Sequence, residues 1–159
     1  MSKGSLSEKE LLKEIFKTRR VRVAVRSVCI DGDRILVERH ANDISACYAF
    51  PGGALEPGDS FEDRIRKEYE EEIGEEISYL KYLFVVENRF MVDDTLCHCV
   101  EIYYETRLNN TEIKSKEPHL EHKWIRIDEL KNYDIRPVVV RDVIADGKMY
   151  DVNHLSSMF

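Results

Sequence analysis

Six of the nine residues 68–76 are glutamates, in the run EYEEEIGEE. Read as one helix, Glu68, Glu71, Glu72 and Glu75 stand at i, i+3, i+4 and i+7 and share a face. Like charges at these spacings repel by roughly 0.2–0.5 kcal/mol per pair. A divalent cation that prefers oxygen ligands would offset that cost. Carboxylates beside such an ion can also orient or deprotonate water, which is the equipment of metal-assisted hydrolysis. Just upstream run Phe50-Pro51-Gly52-Gly53 and Glu56-Pro57-Gly58, two sharp breaks in the chain. Glycines there let the backbone approach closely and offer a carbonyl as a further oxygen ligand. The plainer reading of a glutamate run is a solvated acidic face. The glycine-proline loop at a fixed distance before the helix favours the cation.

The elements that must hold these residues follow from patterning. Ser60 is a good N-cap, and Asp63 three residues on completes an acidic near-capping-box. Phe61, Ile65, Tyr69 and Ile73 give this helix its apolar side, and Gly74 fits its end. Upstream, Ser7 can cap a helix over 8–17 with Leu11, Leu12, Ile15 and Phe16 as its stripe. Val21, Val23 and Val25 alternate with polar or small residues, a strand over 20–30. Asp31-Gly32-Asp33 turns it into a returning strand over 34–39, and 41–48 is a loop. Downstream, segments 80–90 and 96–108 form a hairpin through Val92-Asp93-Asp94-Thr95. A polar loop over 109–120, a strand over 123–127 and a short turn or helix over 128–130 follow. Pro137 opens a last helix over 137–146, ended by Gly147. Strands interleaved with flanking helices predict an α/β (α+β) fold with a mixed central sheet.

At 159 residues, the chain is expected to form one domain over 1–159. A net charge of −7 argues against a nucleic-acid polymer or an anionic membrane as partner. It leaves room for a small anionic substrate, because a bound metal reverses the local sign. The first residues show no apolar h-region, and a cytoplasmic location is expected. Cys29, Cys47, Cys97 and Cys99 read as reduced, packed thiols, since no second pair stands at zinc-ligand spacing. His119 and His122 are three apart, but in a stretch expected to be loop.

The segment resembles the signature of the Nudix hydrolase (MutT-like) family. That signature is Gly, five residues, Glu, seven residues, then Arg-Glu-apolar-x-Glu-Glu-x-Gly-apolar. Gly53, Glu68, Glu71, Glu72 and Gly74 match it, with Asp59 at the first acidic position and Lys67 at the arginine. Tyr69 and Glu75 stand where the family has aliphatic residues. The match is tight over 23 residues, and the order of elements is similar over most of the chain. The resemblance implies a Nudix-like α/β/α sandwich with a loop-helix-loop motif. It implies a pyrophosphohydrolase that uses Mg²⁺ or Mn²⁺ to cleave a diphosphate linkage in a nucleoside diphosphate joined to another moiety. It assigns Glu68, Glu72 and the Gly52 carbonyl to metal, with Glu71 as another ligand or the water-orienting residue. The general base varies among members, and the loop before the Trp124 strand offers Glu117 and Glu121. Asp59 and Lys67 would brace loop against helix. Aspartate is a methylene shorter than glutamate and lysine cannot fork, so a looser brace and lower activity are expected.

For substrate contacts, Arg39 is the first choice, ahead of Arg22, Arg26 and Arg89, with the Gly53 backbone alongside. Tyr48, in the loop before the glycines, is the best base-stacking candidate, ahead of Phe90 and Tyr103. The family's Ser-Gln-Pro-Trp marker is absent, and no proline lies between Pro57 and Pro118. Nucleotide sugars, ADP-ribose and (d)NTPs all remain open. A nucleotide-binding sensor with little turnover is the alternative. The N-terminal helix and the 80–108 hairpin could mediate a homodimer.

Overall fold

The alternation that begins at Arg22 makes strand β1 (Arg22–Asp31), and a turn at Gly32-Asp33 returns the chain as β2 (Arg34–His40). Gly32 holds a φ of +60°, a conformation glycine adopts without steric cost. In this computed structural model, which describes residues 6–158, the two strands pair only at Ile30↔Ile35 and Asp31↔Arg34. They then splay apart. Strand β1 runs parallel to β6 (Thr95–Leu108) from Arg22↔Cys99 to Cys29↔Thr106. Strand β2 pairs along its whole length with β7 (Leu120–Arg126). The short β3 (Tyr48–Ala49) lies on β2, and β4 (Gly52–Ala54) lies on β1. Residues 49–52 therefore cross from one half of the sheet to the other.

Strand β5 (Ile77–Val92) forms a long hairpin with β6, turning at Asp93-Asp94. Strand β8 (Ile135–Arg136) adds parallel to β3, and β9 (His154–Met158) parallel to β5. The order is β8-β3-β2-β1-β6-β5-β9, with β4 joined to β1 and β7 to β2. Helix α2 (Phe61–Glu72) covers one face, packing Ile65, Tyr69 and Ile73 on Val25, Cys29, Leu36, Ile102 and Tyr104. Helix α3 (Val138–Ala145) and a 3-10 helix (Ile127–Asn132) cover the other, around Val28, Val37, Phe50, Phe84 and Tyr103. Helix α1 (Glu8–Phe16), capped by a complete Ser7–Glu10 box, buries Phe16 against Val92 and Cys97. This is an α/β/α sandwich around a mixed sheet. No helix among the described residues is long and apolar enough to cross a membrane.

Several expectations change. Helix α2 ends at Glu72, because Gly74 takes a φ of +76°. Glu75 and Glu76 fall outside it, so Glu75 does not share the glutamate face. Phe61 is 38% exposed rather than part of the apolar side. Pro137 is the residue before α3, not its first. Strand β7 starts at Leu120, three residues earlier than its apolar pattern, because β2 pairs with its polar start. Strands β3, β4, β8 and β9 were not read from the sequence.

Candidate active site

The glycine turn and the glutamate helix are pressed together. The α-carbon of Gly52 lies so close to β1 that a Cβ there would sit 2.0 Å from the Val25 carbonyl oxygen. A Cβ on Gly53 would fall 2.1 Å from Glu68 Oε1. Backbone bars a side chain at Gly52, whereas at Gly53 a side chain would displace the Glu68 carboxylate. A polar chain fixes the same junction from below. Tyr69, buried at the family's aliphatic position, shares hydrogen bonds with Ser27 Oγ (2.6 Å) and Thr106 Oγ1 (3.0 Å). The Ser27 hydroxyl and amide both donate to the Pro51 carbonyl. Helix α2, β1 and the turn are thus tied through one hydroxyl.

Asp59 and Lys67 do meet, at 2.9 Å, but they are not alone. Arg64, one helical turn before Lys67, closes two guanidinium nitrogens on Asp59 Oδ2 at 2.8 and 2.7 Å. It also donates to Glu68 Oε1 (3.1 Å) and Glu56 Oε2 (3.1 Å). Its side chain is only 6% exposed. The fork that lysine cannot make comes from a different residue, which corrects the expectation of a loose brace. The Lys67 and Arg64 hydrogen bonds hold the Asp59 carboxyl down at about 2.

A second acidic group converges from the sheet. Glu38 on β2 and His122 on β7 are register partners and share a face, with His122 Nε2 3.1 Å from Glu38 Oε2. Glu72 joins them from the end of α2, and ligand atoms of the three lie within 4.8 Å of one another. Glu72 follows Glu68 by four residues on α2, and each carboxyl shifts the other's titration. Burial, then the charges of Glu38 and Glu68, push the Glu72 carboxyl well above the usual range. Burial also raises Glu68, against the pull of Arg64. Carboxylates held this close are stable as anions only with a cation between them. The donor set fits a divalent ion: the carboxylate oxygens of Glu38 and Glu72, His122 Nε2 facing them, and the Glu68 carboxylate against the glycine turn.

The remaining sequence candidates are dispersed. Glu71 is exposed on α2, one turn from Glu68. Glu117 lies in a segment seated on the C-terminal end of α2, where the Lys116 amide donates to the Glu72 carbonyl at 2.7 Å. Glu121 lies inside β7, not in a loop, and is paired with Arg39. Neighbouring strand residues alternate faces, so Arg39 and Glu121 point away from Glu38 and His122. The Arg39 guanidinium sits 4.8 Å from the Tyr48 ring centroid, so a base on Tyr48 would have to share that ring. Arg89 on β5 donates to Ser156 and is three strands from β2 in the sheet order. Arg26 pairs with Glu101 at 3.5 Å, Arg22 lies over Phe16, and Tyr103 is core.

Glu38, His122 and Arg64 were missed from the sequence. Arg64 was findable, since it stands at i, i+4 to Glu68 on α2. Glu38 and His122 are 84 residues apart and no local period joins them.

A sandwich of this topology, with a Gly-Gly turn against a glutamate helix, defines the class of Nudix hydrolases. Residues 18–145 match the NUDIX domain model, and the chain belongs to that family of pyrophosphohydrolase enzymes. Nucleoside triphosphatase NudI of Escherichia coli (strain K12 / DH10B) is 27% identical over 95 residues, 55% of this chain and 67% of that protein. A NUDIX hydrolase from Nitrosomonas europaea shares the fold at a TM-score of 0.65 and 20% identity, over 82% of this chain and 93% of that one. An ADP-ribose pyrophosphatase from Streptococcus suis does so at 0.61 and 13%, over 86% and 98%.

Proposed function

We propose that this chain hydrolyses a diphosphate linkage in a small nucleotide, a nucleoside diphosphate joined to a sugar, ribose or phosphate, with Mg²⁺ or Mn²⁺. The observation that carries this reading is the Glu68 carboxylate wedged on Gly53, with Glu72 one helical turn further along the same half-buried side of α2. Glu68, Glu72 and the Gly52 carbonyl would hold the ion, with Glu71 as a further ligand or the residue that orients water. When bound, the ion neutralises charge on the phosphate oxygens. Glu71, exposed on α2 one turn from Glu68, is a candidate to take the proton of the attacking water, and Glu117 beside the helix end is the next. Asp59, Arg64 and Lys67 keep the helix fixed against the turn. Arg39 and Gly53 are the candidates to receive phosphate, and Tyr48 a base. Glu121 would act by holding Arg39, and Arg89 is the remotest of these candidates.

Formation of a nucleoside monophosphate from nucleotide sugars, ADP-ribose and (d)NTPs, with a sugar phosphate or pyrophosphate as the second product, tests the reading when followed chromatographically with Mg²⁺ or Mn²⁺. Turnover should fall steeply in Glu68→Gln, Glu71→Gln and Glu72→Gln. Tight nucleotide binding without turnover on any substrate would favour the sensor alternative. The three-pronged hold of Arg64 on Asp59 and Glu68 weighs against that alternative, because a binding module has no need of a braced catalytic helix.

A further inference from the structure

We propose that Glu38, Glu72 and His122 form a mixed nitrogen–oxygen cation position that favours late transition ions, Co²⁺ or Zn²⁺, over Mg²⁺. It rests on the reading above only in sharing Glu72. None of the three lies in the turn, and two come from the sheet rather than the helix.

Geometry carries the case. Two neighbouring ligands at roughly 2.1 Å from one ion stand about 3 Å apart. His122 Nε2 and Glu38 Oε2 are 3.1 Å apart, and an oxygen of Glu72 completes a group within 4.8 Å. The side chains are shielded, His122 at 3% and Glu38 at 8% exposure. A simple His–Glu ion pair leaves the site incomplete. It uses Nε2, the ring nitrogen that faces the carboxylates, and leaves the buried Nδ1 on the other side of the ring as the N–H an ion at Nε2 would also leave. It also leaves Glu72 a second carboxylate facing the same imidazole. A cation shared by the three settles both carboxylates at once. Donor type sets the preference: an all-oxygen set suits Mg²⁺, whereas an imidazole moves a site toward Co²⁺ and Zn²⁺. The splayed strands explain how such a site arises, since Glu38 and His122 sit on the β2–β7 half-sheet and the end of α2 brings Glu72 against them.

The test uses the full chain and Co²⁺ as probe. Proton NMR of the Co²⁺-loaded protein should show a hyperfine-shifted, solvent-exchangeable imidazole N–H resonance, absent in His122→Gln. Co²⁺ binding should weaken about tenfold or more in His122→Gln and in Glu38→Gln, with Mg²⁺ binding altered by less than about twofold. Absence of the shifted resonance in the wild-type protein, or variants that bind Co²⁺ as the parent does, would overturn the proposal. The wild-type spectrum decides even if a variant fails to fold. Glu68→Gln separates the two readings. Loss of turnover with the resonance retained supports both. An unaffected turnover with the resonance retained sinks the hydrolytic assignment of Glu68 and leaves this position standing.

Discussion

Arg64 touches three carboxylates from one side chain, and its cost to the chain falls on packing rather than charge. Its guanidinium is nearly buried, so it is useful only while Asp59 and Glu68 stay ionised beside it. Lysine in its place keeps the charge and loses the prongs. Arg64→Lys should lower divalent-cation affinity by about 10–100-fold, whereas Lys67→Ala should do less, both read by titration calorimetry. Asp59 offers an independent check. Its folded value of about 2 lies below its ordinary 3.8, so the ionised form is favoured by folding. The resulting stability is complete above 3.8 and is lost as pH falls from there through about 2. Thermal melts between pH 5 and 2 should show a steep acid limb that flattens in Asp59→Asn.

At the level of elements, the turn and helix α2 act as one unit, and its two glycines fail differently. In Gly53→Ala the added carbon meets the end of a flexible glutamate, which must move. The fold should survive while cation binding and turnover drop sharply. In Gly52→Ala it meets backbone of β1, so the variant should lose stability by about 1–3 kcal/mol, seen in denaturant melts. The helix was legible in advance because its cap, apolar spacing and terminal glycine all fell within fifteen residues, 60–74. So were β1, β5 and β6, where alternation runs for many residues. Strands β3, β4 and β8 have two or three residues, too few to show a period. Strand β9 exists because β5 offers an edge, not because its own sequence demands it. In the sequence Glu38 is one charged residue within the strand over 34–39 and carries no mark of a site. Its burial depends on Glu72 and His122, and only the folded sheet brings those together.

Over the whole molecule, two half-sheets meet along a short seam. The β1–β2 hairpin joins them by two residue pairs, and the 49–52 crossing passes between them again. Glu68 and the glycines belong with β1, while Glu38 and His122 belong with β2. Any ion held by both Glu72 and Glu38 would act as a rivet between plates that otherwise share the two apolar cores and this short seam. Amide hydrogen exchange should then report a redistribution of motion rather than uniform stiffening. With Co²⁺, protection should rise in β2, β7 and the end of α2, and stay level in the outer hairpin of β5 and β6. In His122→Gln the plates should keep the looseness of the metal-free protein on the β2 side.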